Sequence, residues 1–196
     1  MTADMKRRDV VNALLEKRAG LLVVAGLGST AWDITAAGDS PLNFPLWGAM
    51  GNAGMIGLGL ALAQPQRRVL VITGDGEMLM GLGSLATIGV QRPANLAVVV
   101  IDNERYGETG MQATHTASGV DLARVAAACG FASAKQVREP GDLRTLRAAI
   151  HDAPGPHFAQ VKVVAEKLPL VLPPRDGGIL KSRFRKALLG EGADLD

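Results

Sequence analysis

One cysteine in 196 residues, Cys129, removes any internal disulfide and any cysteine-built metal or iron–sulfur centre. It sits in the apolar run VAAACGF, the setting of a buried structural thiol. Neither sign of charge is in excess. The 21 basic and 19 acidic residues leave a net charge of +2, so bulk charge offers nothing to nucleic acid or to a membrane surface. A long hydrophobic run is missing too: the most apolar stretch, Ala49 to Ala63, falls short of the about 20 residues that a span needs. It ends in Gln64-Pro65-Gln66-Arg67-Arg68 and reads as a buried helix. No basic-plus-apolar leader opens the chain, since MTADMKRRDVVNALLEKR is charged throughout, and a cytoplasmic protein is expected. There are no internal repeats. The length, with 47% hydrophobic residues, suits one α/β domain with a substantial core and leaves no room for a second of normal size.

What is present is an alternation of short β-branched runs with helical patterns. A helix over residues 6–18 carries Val10, Val11, Leu14 and Leu15 on one face, with its charges toward water. Strands follow at Leu21 to Ala25, Val69 to Thr73, Leu96 to Ile101, Ala132 to Val137 and Phe158 to Val164. Helices are expected around Trp32 to Ala37, through the apolar stretch, at Met78 to Val90, Asp121 to Gly130 and Asp142 to His151. Asp39 to Trp47 reads as a polar turn, and residues 104–120 as a long loop without periodicity, the kind that carries function. The pattern predicts a doubly wound parallel sheet with helices on both faces. Residues 1–166 form this domain, and residues 167–196 form an extension that begins proline-rich and ends in a basic helix with Leu180, Phe184 and Leu188 on one face. That helix reads as solvated or subunit-facing, with no nucleic-acid or membrane role.

The chain is organised around VLVITGDGEMLMGLGSLATIGVQRPANLAVVVIDNERYG, a βαβ crossover whose two strands end in Gly74-Asp75-Gly76 and Asp102-Asn103. Neighbouring parallel strands end on one edge of the sheet, where open α/β sheets bind ligands. Asp75 and Asn103 would therefore meet there. A carboxylate and an amide oxygen suit a hard cation such as magnesium, shared with a phosphate. A plain strand-to-helix turn capped by Asp75 reads the tripeptide equally simply. Gly28, Ser29 and Thr30 form a second strand-end loop, able either to bond a phosphate or to cap a helix.

The stretch from Gly74 to Asn103 resembles the thiamine diphosphate motif, with Asp102 standing where many members have another asparagine. GSLATIG, IDNERYGETGMQ and DLARVAAACGF are similar to the small beta subunit of sulfopyruvate decarboxylase and to the C-terminal half of phosphonopyruvate decarboxylase, a likeness covering roughly residues 5–165. The resemblance implies thiamine diphosphate and Mg²⁺ as cofactors, with metal ligands Asp75, Asn103 and, through its carbonyl, Arg105. It implies cofactor contacts from Gly28, Ser29, Thr30, Gly48, Met50, Gly74, Asp75, Gly76, Glu77, Asn103, Tyr106 and Gly107. Met50 would wedge the cofactor into its bent shape; from its surroundings alone it reads as a core methionine. Glu108 and His115 would be catalytic, with Thr109 and Gln112 also toward substrate, although a loop histidine is often only solvated.

The implied function is a subunit of a non-oxidative 2-oxo acid decarboxylase that yields an aldehyde and CO₂. Its relatives also use a pyrimidine-binding domain, which this chain has no room for. A separate alpha subunit is therefore expected, in a hetero-oligomer with two or more copies of each subunit. An acetolactate-synthase-like carboligase subunit and a non-catalytic cofactor-binding or assembly subunit are the alternatives.

Overall fold

Strands β3 (Val69–Gly74) and β4 (Leu96–Asp102) are apolar along nearly their whole length and bury both faces, as strands in the middle of a parallel sheet must. They pair in parallel, Val69 with Leu96 through Gly74 with Ile101. The protein is described by a computed structural model covering residues 5–194; residues 1–4 and 195–196, the outer ends of the two expected regions, lie outside the described residues. Around the central pair the sheet runs β2 (Asn43–Pro45), β1 (Leu22–Ala25), β3, β4, β8 (His157–Lys162), β7 (Ser133–Val137), parallel throughout. Order reverses between β1 and β3, whose following loops build the site described below together with the loop after β4.

Alternate strand residues feed two cores. Val23, Leu70, Val99 and Val161 face α1 (Arg7–Leu15), α2 (Ser29–Ala36) and α7 (Asp142–Asp152). Leu22, Val71, Val98 and Phe158 face α3 (Ala53–Ala63), α4 (Asp75–Met80), α5 (Ser84–Gln91) and α6 (Leu122–Ala128). The architecture is the doubly wound α/β fold with helices on both faces. On the second face α8 (Gly177–Leu189), capped by Asp176, buries Leu180 and Phe184 and sets the Phe184 ring 5.3 Å from that of Phe44 on the edge strand β2.

Four local expectations are corrected. The Asp39 to Trp47 turn contains β2, three residues long and ending in Pro45, which an edge strand tolerates. The helix expected over Met78 to Val90 is two helices broken at Gly81–Gly83, because Gly81 packs directly on the Gly51 carbonyl: a Cβ there would lie 1.9 Å from that oxygen. The loop after β4 holds a small hairpin, β5 (Arg105–Tyr106) with β6 (Gln112–Ala113), and a 3₁₀ turn, His115–Ser118. The apolar stretch expected to be a buried helix leaves Met55 and Leu62 exposed, so one of its faces is uncovered in the single chain.

Candidate active site

Asp75 opens α4 and is 2% exposed. Its Oδ2 accepts a hydrogen bond from the hydroxyl of Thr114 at 2.6 Å and lies 3.2 Å from that of Thr116; the two threonines flank His115 at the start of the 3₁₀ turn. No cationic side chain partners it among the described residues. Burial pushes its carboxyl up to about 6, opposed by the Thr114 hydrogen bond and reinforced by the charge of Asp102. Asp102 is fully buried and has its own cation, Lys162, at 2.8 Å. A buried carboxylate with hydroxyl donors, an acidic neighbour and no cation has the electrostatics of a metal ligand. Among the described residues no cluster of three His, Cys, Asp or Glu side chains would hold an ion unaided. The side-chain oxygens on offer to an ion are one carboxylate and one amide, which main-chain or ligand oxygens would have to complete. Magnesium fits that set.

Asn103 supplies the amide. Its Oδ1 accepts the Arg105 N–H at 2.9 Å in a short turn, which fixes the side chain and leaves the oxygen's second lone pair. Asp75 and Asn103 line one cavity at the carboxyl edge of β3 and β4, with Ser29, Met50, Gly74, Gly76, Glu77, Arg105, Tyr106, Gly107 and Glu108. Two glycines there admit close neighbours. A Cβ on Gly76 would lie 2.5 Å from the Tyr106 ring, and one on Gly28, whose φ is +76°, 2.6 Å from the Glu108 carboxylate. Gly28 itself lies beneath Glu108 and not on the wall.

Glu77 is turned inward. It is 4% exposed, accepts the Thr73 hydroxyl at 2.9 Å, and faces the main-chain N–H groups of Gly51, Leu27 and Ala53. It thereby ties the loops after β1 and β2 to β3. Burial raises its pKa, with these hydrogen bonds opposing the shift. The Thr30 hydroxyl is spent on the Gly26 carbonyl at 2.9 Å, within its own loop. Gly48 and His115 are exposed and lie outside the cavity wall. Met50, 37% exposed, borders both the cavity and an adjoining open groove lined by Met55, Met80 and Gly81.

The structure adds residues that the sequence reading passed over. Thr114 and Thr116 had no local pattern to mark them. Arg7 lines the cavity and is 6% exposed, which corrects the expectation that the charges of the first helix face water. A signal existed: Arg7 falls in phase with Val10, Val11 and Leu14 on the apolar stripe.

Comparison with known proteins places these observations. The family model "Thiamine pyrophosphate enzyme, C-terminal TPP binding domain" matches residues 28–161. The chain is 40% identical over 173 residues to sulfopyruvate decarboxylase subunit beta of Methanothermobacter thermautotrophicus, covering 88% of this chain and 90% of that protein. It is 41% identical over 150 residues to phosphonopyruvate decarboxylase of Streptomyces hygroscopicus, covering 76% of this chain but 37% of that one. The crystal structure of benzoylformate decarboxylase from Polynucleobacter necessarius superposes on 85% of this chain and 34% of its own with a TM-score of 0.71 at 20% identity, a likeness of fold.

Proposed function

Because the chain belongs to the thiamine pyrophosphate enzymes, as their C-terminal TPP-binding domain, we propose that it is the diphosphate-holding subunit of a magnesium-dependent, non-oxidative decarboxylase. Its substrate is a 2-oxo acid that carries a second acid group, of the sulfopyruvate or phosphonopyruvate kind. One observation carries the reading: Asp75 and Asn103 meet on a single cavity, and the buried Asp75 carboxylate has no cation among the described residues.

The Asp75 carboxylate, the Asn103 amide oxygen and the Arg105 carbonyl would hold magnesium. The Ser29 hydroxyl and the bare main chain of Gly74 and Gly76 would take the diphosphate, since glycine lets the backbone approach closely. Thiamine diphosphate, when bound, supplies the electron sink for release of CO₂ from a 2-oxo acid. Met50 supports the cofactor's bend from the rim of the cavity. Tyr106 and Gly107 close the wall and keep water out, and Glu108 is the acid on that wall able to hold a proton near the substrate. Glu77 serves the site as a brace between loops. His115, exposed outside the wall, is assigned no step.

A partner subunit completes the site from the pyrimidine side. Met50, Met55 and Met80 lie exposed beside the cavity, an apolar surface suited to being covered. The name "subunit beta" of the M. thermautotrophicus relative supports the same division of labour.

The test is to purify the chain alone and assay 2-oxo acids with thiamine diphosphate and magnesium, then to repeat with a separately made pyrimidine-binding subunit. Turnover to aldehyde and CO₂ is expected only in the second case. Robust turnover by the chain alone would overturn the two-subunit reading, and absence of any magnesium-dependent cofactor binding by the complex would overturn the cofactor reading itself.

A further inference from the structure

A buried guanidinium with no assigned role faces the same cavity. Arg7, the first residue of α1, places its Nε 2.9 Å from Asp33 Oδ2, but neither atom achieves the alignment of a hydrogen bond. Asp33, on α2 and 1% exposed, is hydrogen-bonded by the neighbouring Arg8, whose Nε lies 3.0 Å from Oδ1 and whose Nη2 continues to the Pro169 carbonyl. Asp33 is thus shared by two arginines, with Glu166 a further carboxylate near enough to act on it. Arg8 satisfies Asp33 and points away from the site. Arg7 stays on the cavity wall with Leu27, Ser29, Glu108 and Thr109, and the described residues give its terminal nitrogens no hydrogen-bond partner.

A guanidinium does not shed its charge, and its terminal N–H groups form a planar fork matched to the oxygens of phosphate, sulfonate or carboxylate. Only its Nε is buried without a hydrogen bond, so the terminal fork opens on the cavity, where an anion would give it the partner that the described residues do not. A purely structural role as the counter-ion of Asp33 would need only Arg8, which already makes the aligned bond.

We propose that Arg7, steadied by Asp33, binds an oxyanion in this cavity: either a phosphate of the cofactor or the second acid group of the substrate. The inference rests on the cofactor and substrate reading given above, and it fills a gap in that reading, because a doubly anionic substrate needs a cation that the loop after β4 supplies only as Arg105.

The experiment uses the protein in its native assembly. Calorimetric titrations with inorganic pyrophosphate plus magnesium, and separately with 3-sulfopropionate as a sulfonate that cannot react, are compared between the parent and Arg7→Gln. Loss of a charge-assisted contact should weaken one of the two ligands at least about ten-fold. Weakened pyrophosphate with 3-sulfopropionate unchanged assigns Arg7 to the cofactor, and the reverse assigns it to the substrate. Unchanged affinity for both overturns the proposal. Should Arg7→Gln not fold, phenylglyoxal labelling of the parent, read by peptide mass, decides: one of the two anions should protect Arg7, and protection by neither overturns the proposal. Failure of the decarboxylase reading would show separately, as absence of 2-oxo acid turnover in the parent, while both binding titrations stay readable.

Discussion

Lys162 Nζ lies 2.8 Å from Asp102 Oδ2, and the two residues are register partners on β8 and β4. Both are buried. Gln160 Nε2 reaches the same Asp102 oxygen at 2.6 Å, and Thr116 donates to Oδ1 at 2.8 Å while also lying 3.2 Å from Asp75. A polar chain therefore runs from a cation in the sheet, through Asp102 and Thr116, to the carboxylate of the site. It also accounts for Asp102 standing where many thiamine diphosphate enzymes have asparagine: the lysine on the adjacent strand calls for a carboxylate.

Lys162→Met should destabilise the protein by about 3–5 kcal/mol, because it strands the Asp102 charge in the core. Adding Asp102→Asn to that variant should restore much of the loss. Urea unfolding of the two variants checks this. A single variant as stable as the parent would show that Asp102 finds its compensation elsewhere.

The same pair sets an alkaline limit. Burial opposes the Lys162 charge, but hydrogen bonds and charges from Asp102 and Glu104 more than offset it and raise its pKa above the ordinary 10.5. A raised lysine pKa contributes stability that is complete below the unfolded value and is lost as pH climbs through the folded one. The stability advantage of the parent over the double variant should be flat up to about pH 10 and shrink above it. Measured unfolding free energies whose difference stays constant to about pH 12 would contradict this.

Asp75→Asn and Asn103→Ala should each remove magnesium-dependent binding of thiamine diphosphate, read as loss of the cofactor-induced rise in melting temperature. Asp75→Asn should not lower the melting temperature of the cofactor-free protein, since burial disfavours that charge. Wild-type cofactor affinity in either variant would remove the residue from the metal site.

Met50→Ala should leave cofactor affinity within a few-fold and lower kcat by roughly ten- to hundred-fold, because a side chain that shapes the cofactor acts on geometry and not on its charged end. Unchanged turnover at saturating cofactor would reduce Met50 to a surface methionine.

Gly26→Ala should destabilise by about 1–3 kcal/mol through overpacking, since a Cβ there would lie 1.7 Å from Glu77 Oε2 and displace the carboxylate that ties the loops after β1 and β2 to β3. Gly59→Ala, with open space around the added methyl, should instead gain stability in the isolated chain. Equal melting temperatures for the two variants would dismiss the brace.

The sequence by itself determined the alternation of strand and helix, the parallel sheet that follows from it, and the convergence of Asp75 and Asn103. Each of these rests on local periodicity and on the rule that neighbouring parallel strands end on one edge. It could not show β2, whose three residues are too few to carry a period, nor the break between α4 and α5, which arises where Gly81 meets the Gly51 carbonyl from another turn of chain. Burial was equally out of reach, apart from the phase of Arg7 on the apolar stripe of α1. The desolvation of Asp75, the inward turn of Glu77 and the presence of Arg7 on the cavity wall depend on how α1, the loop after β2 and the hairpin after β4 close over one edge of the sheet. A charged side chain carries the same letter whether it faces water or a core. Only the packing of distant segments around it decides which partners it meets, and so whether its charge is solvated, paired or left for a ligand.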